Sequence, residues 1–162
     1  MAFHGYHHIT ASVTRGRPDM EFHAGLLGLR NVKRTVLLDG DRPFYHLYYG
    51  NQLGEPGTLL TSFVFGPERP EGRRGSGQVS SVALSVPSAS LPYWSDRLAE
   101  RGVAATALEL LGQQRIRFHH PDESNTSSSA SRWMTGCRGP APMSRPLRRY
   151  AACTALPCAP AR

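Results

Sequence analysis

From Tyr6 to Val13 the chain alternates. Ile9, Ala11 and Val13 fall on one side and His8, Thr10 and Ser12 on the other, the period-two pattern of a half-buried strand. Pro18-Asp19 then opens a stretch with Phe22, Leu26, Leu27 and Leu29 at helical spacing, closed by Gly28. Asn31 to Leu38 reads as a strand, Gly40-Asp41-Arg42-Pro43 as a turn, and Phe44 to Tyr49 as a further strand. A loop over Asn51–Gly57 leads to a fourth strand, Thr58–Phe65, rich in Leu, Phe and Val. The predicted order is β-α-β-β-β over residues 1–66.

Residues 67–78, rich in Gly and Arg, read as a linker, and the order then begins again. Val79–Val86 is a strand, Ser88 is placed to cap a helix, and Leu91, Trp94 and Leu98 form its apolar stripe up to Gly102. Val103–Leu110, a turn at Gly112 and Arg115–His119 supply two more strands. No fourth strand is visible after Pro121-Asp122. Residues 124–131 are a serine-rich run, and beyond it Arg, Pro, Ala and Cys mix without a period of two or 3.6. The expected architecture is therefore α+β: two βαβββ units, the second (79–122) lacking its fourth strand, then a disordered tail over 123–162.

Charge sharpens that boundary. The 162-residue chain has nineteen Lys and Arg against twelve Asp and Glu, a net +7. All twelve acids lie at or before Glu123 and six of the basic residues lie after it, so the body is within one charge of neutral. The basic balance belongs to the tail, forms no aromatic-interleaved basic motif, and predicts no nucleic-acid partner. Cys137, Cys153 and Cys158 also lie there, odd in number and without zinc-ligand spacing, and are expected to be reduced thiols. No apolar run approaches the ~20 residues of a membrane span, and no basic region followed by an apolar stretch opens the chain. A cytoplasmic location without membrane contact is the expectation.

Five segments in order carry a family resemblance: Tyr6-His7-His8-Ile9-Thr10, Gly25-Leu26-Leu27-Gly28-Leu29, Tyr45-His46-Leu47-Tyr48-Tyr49-Gly50, Gly54-Glu55-Pro56-Gly57-Thr58 and Gly75-Ser76-Gly77-Gln78-Val79. Over residues 5–122 the chain resembles the vicinal oxygen chelate superfamily of glyoxalases, bleomycin-resistance proteins and extradiol dioxygenases. Within it the chain looks like the N-terminal half of a hydroquinone-type ring-cleaving dioxygenase. The resemblance implies paired βαβββ units curved around a metal-centred cavity, four units in the whole protein, and a small aromatic diol as substrate. It implies Fe(II), or Mn(II), held by two His and one Glu. Such a facial triad leaves open positions for substrate oxygens and O2.

Carried over by position, the first of those ligands is His8, which the alternation also sets on the polar strand face with Thr10. A strand histidine chosen at random is usually a surface or hydrogen-bonded group, and it is the family pattern that singles His8 out. His7 points to the opposite layer and reads as structural. His46 and Thr10 are candidates to line the pocket or to orient the ligand, and a merely packed strand histidine is an equal reading of His46. His23 stands where the helix pattern usually has an aromatic residue, a departure expected to matter little for chemistry. His119 and His120 read as loop residues, and Ser81 takes the place of His8 in the second unit. The remaining two ligands are expected from sequence that the chain lacks, so weak or absent metal binding and no catalysis are predicted for it alone.

Two other readings share the fold. One is a small protein sequestering an aromatic ligand between paired chains, and the other a glyoxalase-type isomerase or lyase completed by dimerisation. A self-sufficient enzyme needs a carboxylate near a fourth strand, and Thr58–Phe65 contains no acid. An open edge in the second unit would favour a homodimer. The tail has a more specific explanation as family sequence read in a shifted frame from Glu123. With permitted codons, that reading encodes an alternating, acid-containing strand and removes all three cysteines. The nucleotide sequence of the gene tests it.

Overall fold

The computed structural model describes residues 5–68, 79, 81–121 and 131–137. The first unit runs β1 (His8–Val13), α1 (Gly16–Met20), β2 (Arg30–Asp39), β3 (Arg42–Gly50) and β4 (Leu59–Val64). Helix α1 does not stop at Met20 but widens into π-helical turns over Glu21–Leu26. The second unit runs β5 (Ser81–Pro87), a 3-10 turn (Ser88–Ser90), α2 (Leu91–Glu100), β6 (Ala105–Leu110), β7 (Gln113–Phe118) and β8 (Ser131–Cys137). The sheets are ordered β1-β4-β3-β2 and β5-β8-β7-β6. In each, the first and last strands of the unit pair in parallel and the other neighbours antiparallel.

Alternation along the strands directs the packing. Leu47, Tyr49 and Leu60 face the first helix, while Val82, Leu84 and Val86 face the second, each buried. One continuous core results, joining Phe22, Leu26 and Leu27 of the first unit to Trp94, Leu98 and Phe118 of the second. Arg97 of α2 adds a polar tie between units. Its Nε donates to the Leu26 carbonyl at 2.7 Å and its Nη2 to the Gly25 carbonyl at 2.9 Å. Those carbonyls end the π-helical segment and lack partners within it.

Strand β8 corrects the expectation of a second unit without its fourth strand. Residues 131–137 form it, between β5 and β7, with Ser85 opposite Thr135 and Ile116 opposite Met134. The sequence concealed it because Met134 is the one apolar side chain, among those described in this strand, that is fully buried. At Gly136 a Cβ would lie 3.0 Å from Leu91 Cδ1 and 3.1 Å from the Ser88 Cα, so the strand has a glycine where the helix presses close. A strand with one buried apolar residue and a glycine leaves no period-two signal. The linker expected over 69–78 and the tail expectations for residues 123–130 and 138–162 lie outside the described residues.

Two smaller corrections concern turns. Ser88 does not cap the second helix, because Ser88–Ser90 form a 3-10 turn and α2 begins at Leu91 with no side-chain cap. Pro43 lies within β3, opposite Leu38, which shortens the hairpin to Gly40-Asp41. Gly102 ends α2 as expected, at a φ of 68°, with its N–H donating to the Ala99 carbonyl.

Candidate functional site

The two faces of the first sheet have different chemistry. On the face away from the helix, His8 and Thr10 are exposed, as the alternation required. Thr10 pairs with Thr61 across β1 and β4, and the Thr61 hydroxyl donates to the Thr10 hydroxyl at 2.8 Å. On β3 the same face presents His46 and Tyr48. The Tyr48 hydroxyl is hydrogen-bonded to His46 Nδ1 at 2.8 Å, and Phe63 packs on the imidazole with ring centroids 4.4 Å apart. Lys33 Nζ lies 5.4 Å from the centre of the Tyr48 ring.

His46 is buried, and burial pushes its pKa below the ordinary 6.5, with the charges of His8 and Lys33 acting the same way. A neutral imidazole, a phenol and a phenyl ring thus stand side by side near His8. His7 differs from expectation. It is exposed rather than layered into the core, its ring meets His8 edge-on, and the two Nδ1 atoms are 3.0 Å apart.

The donor set at His8 does not complete a metal site. Among the described residues, one group of three His, Cys, Asp or Glu side chains has ligand atoms within reach of one another, and His8 is not in it. The strand opposite His8 begins at Leu59, and β4 contains no carboxylate. The described residues therefore do not by themselves make up a two-His, one-carboxylate centre at this face.

The group that does form is Asp19, His23 and His120, each buried, with one ligand atom from each within 4.8 Å of the others. It lies on the helix side of the sheet, opposite His8. Asp19 and His23 stand one turn apart, on α1 and the π-helical segment that continues it, and His120 follows β7. Burial alone pushes the Asp19 carboxyl up. Contacts from His120 and His23, with Tyr49 adding a hydrogen bond, outweigh it and hold the group well below the carboxylate range. The Tyr49 hydroxyl donates to Asp19 Oδ2 at 2.6 Å and the Ser62 hydroxyl to Oδ1 at 3.1 Å. Tyr49 is pushed far up in turn, by burial and by the Asp19 charge.

Sequence reasoning passed over this cluster. Asp19 reads as a helix-start residue, and nothing local ties His120 to a helix about a hundred positions earlier. The one available signal was His23, an imidazole on the apolar stripe of a helix.

No protein-family model matches the chain. Chlorohydroquinone/hydroquinone 1,2-dioxygenase of Sphingobium indicum is 43% identical over 119 residues, which is 73% of this chain and 37% of that protein. A Bacillus subtilis protein named as a ring-cleaving dioxygenase, MhqO, is 43% identical over 117 residues, again 37% of its length. The chain thus spans little more than a third of the curated relatives it matches. A crystal structure of a Bacillus subtilis protein described as a dioxygenase superposes with a TM-score of 0.72 at 36% identity, over 83% of this chain and 41% of that one. A glyoxalase/bleomycin resistance protein/dioxygenase domain from Frankia shares the fold at 18% identity and a TM-score of 0.62, and its whole length is covered. Two βαβββ units in this order, with sequence and structure likeness running through both, make the chain a member of the vicinal oxygen chelate superfamily, similar to part of its hydroquinone ring-cleaving dioxygenases.

Proposed function

We propose that this chain is part of a non-haem ring-cleaving dioxygenase for a hydroquinone or catechol, the N-terminal part, and that it is inactive alone. The observation that carries the reading is the 43% identity to a hydroquinone dioxygenase of which only 37% is spanned. His8 is the residue we assign to the metal, Fe(II) or Mn(II), which would supply the route for electrons between ring and O2. Its exposed place on the face away from the core supports that role. His46 and Tyr48 would receive a phenolic hydroxyl, Phe63 would flank the ring, and Thr10 would line the approach. A neutral His46 suits this role, because it accepts a hydrogen bond without repelling a cation bound at His8.

Among the described residues three complete donors are not gathered at His8, and in this reading the rest of the sphere comes from protein outside this chain. The chain loaded anaerobically with Fe(II) should take up no oxygen with hydroquinone. Co-expressed with the portion of the Sphingobium enzyme that it does not match, it should recover oxygen uptake, and His8→Ala should abolish the recovery. Turnover by the chain alone, or recovery indifferent to His8, would sink the proposal.

Full coverage of the Frankia domain supports a second reading, in which two units suffice and a homodimer binds an aromatic ligand. Val36, Leu38 and Tyr45 form an exposed apolar patch on β2 and β3 that would serve such pairing. The edge expected from a missing fourth strand does not contribute, since β8 fills that place. Sedimentation of the purified chain separates monomer from dimer. We assign the chain to the cytoplasm, where its unpatterned cysteines would remain reduced. Among the described residues, no helix is long and apolar enough to cross a membrane.

A further inference from the structure

We propose that Asp19, His23 and His120 bind a zinc-like divalent ion in the interior, one per chain, and that this ion fastens the two units together. The site is separate from the one assigned to His8, because it lies beneath the helix on the other side of the first sheet.

Geometry is the first argument. His23 Nδ1 lies 3.1 Å and His120 Nε2 3.2 Å from the same oxygen, Asp19 Oδ1. Bonds of about 2.0–2.1 Å at tetrahedral or octahedral angles separate neighbouring donors by roughly 3.0–3.4 Å. Two imidazoles and a carboxylate are also a donor set that borderline divalent ions prefer over Mg or Ca.

Burial is the second. All three donors lie in the interior, where two imidazoles and a carboxylate can hold a divalent ion away from competing water. The surroundings also resemble those that orient ligands. Tyr49 and Ser62 donate to the carboxylate and fix its orientation. Phe22 stands edge-on to His120 at 4.5 Å and Tyr49 stacks on His23 at 4.6 Å, so aromatic rings cover the buried donors.

Topology is the third. Asp19 and His23 belong to the first unit's helix and His120 to the loop after β7 of the second. An ion among them would cross-link positions about a hundred residues apart. Its binding energy would become folding energy.

Because the site is sealed, the metal must be supplied during folding. The full chain would be unfolded with chelator, refolded with Zn(II) or Co(II), passed through gel filtration and assayed for metal. The wild type and His8→Ala should each retain one ion, while His23→Phe and His120→Asn should bind about tenfold or more weakly. His23→Phe places an aromatic ring in an aromatic environment, so its fold should survive, and circular dichroism checks this. The Co(II) spectrum should show d–d bands without thiolate charge transfer, which distinguishes this site from the three cysteines. Failure of the refolded wild type to retain metal would overturn the proposal. So would equal retention by every variant, or a thiolate spectrum. None of these outcomes bears on oxygen uptake or on His8.

Discussion

At the scale of single residues, the sequence disclosed what faces solvent better than what meets inside. His8 and Thr10 could be assigned to the outer sheet face from alternation alone, because a strand's period determines the side. The partners of Asp19 could not be read this way, since they depend on packing between distant segments. Tyr49 shows the consequence. It sits fully buried on β3 with its hydroxyl 2.6 Å from a buried carboxylate, and a hydrogen bond to a charged group contributes about 1.5–3 kcal/mol. Tyr49→Phe should lower stability by that amount in urea unfolding without altering the fold.

His46 gives a pH signature. Its folded pKa lies below 6.5, so the unfolded chain takes up the proton first. Its contribution to stability is therefore complete above pH 6.5 and shrinks as pH falls toward the lowered folded value. In metal-free protein, His46→Gln should flatten the loss of stability below pH 6.5. An unchanged slope would show that other groups carry it.

At the scale of elements, helices and strands with regular apolar spacing were legible, and those stabilised by a few contacts were not. The first unit's strands emerged close to their true limits because Leu, Tyr and Val recur along them. Strand β8 did not, because its hold on the core rests on Met134 and on the absence of a side chain at Gly136. Met134→Ala should cost about 2–5 kcal/mol, the range for emptying a fully buried site. Gly136→Val should destabilise comparably by forcing the strand away from Ser88, and both effects are measurable by denaturant titration. The β6–β7 hairpin carries a separate fault. Leu111 adopts a φ of 54° beside Gly112 at 69° and is almost fully exposed. A turn with positive φ at both central positions favours Asn-Gly. Leu111→Asn should therefore raise stability by about 1 kcal/mol, seen as a higher melting temperature.

At the scale of the whole molecule, the repeated order of elements identified the architecture, and the abrupt change in charge past Glu123 drew attention from a strand that follows it. The units share one core and the Arg97 bridge. Arg97→Met should keep the packing of the stem on that core while removing both hydrogen bonds. It should cost about 1–2 kcal/mol, and hydrogen exchange should quicken at the end of the π-helical segment.

The place of β8 in its sheet also bears on the order of assembly. The last strand of the unit to leave the ribosome does not lie at the outside of its sheet but between β5 and β7. Until it emerges, β5 and β7 each expose a row of bare amides and carbonyls, so a nascent chain halted before Ser131 offers its unfinished seam to any extended peptide nearby. Synthesis past that keystone, rather than collapse of the core, would then set the moment at which the newborn polypeptide ceases to be prey for chaperones and proteases.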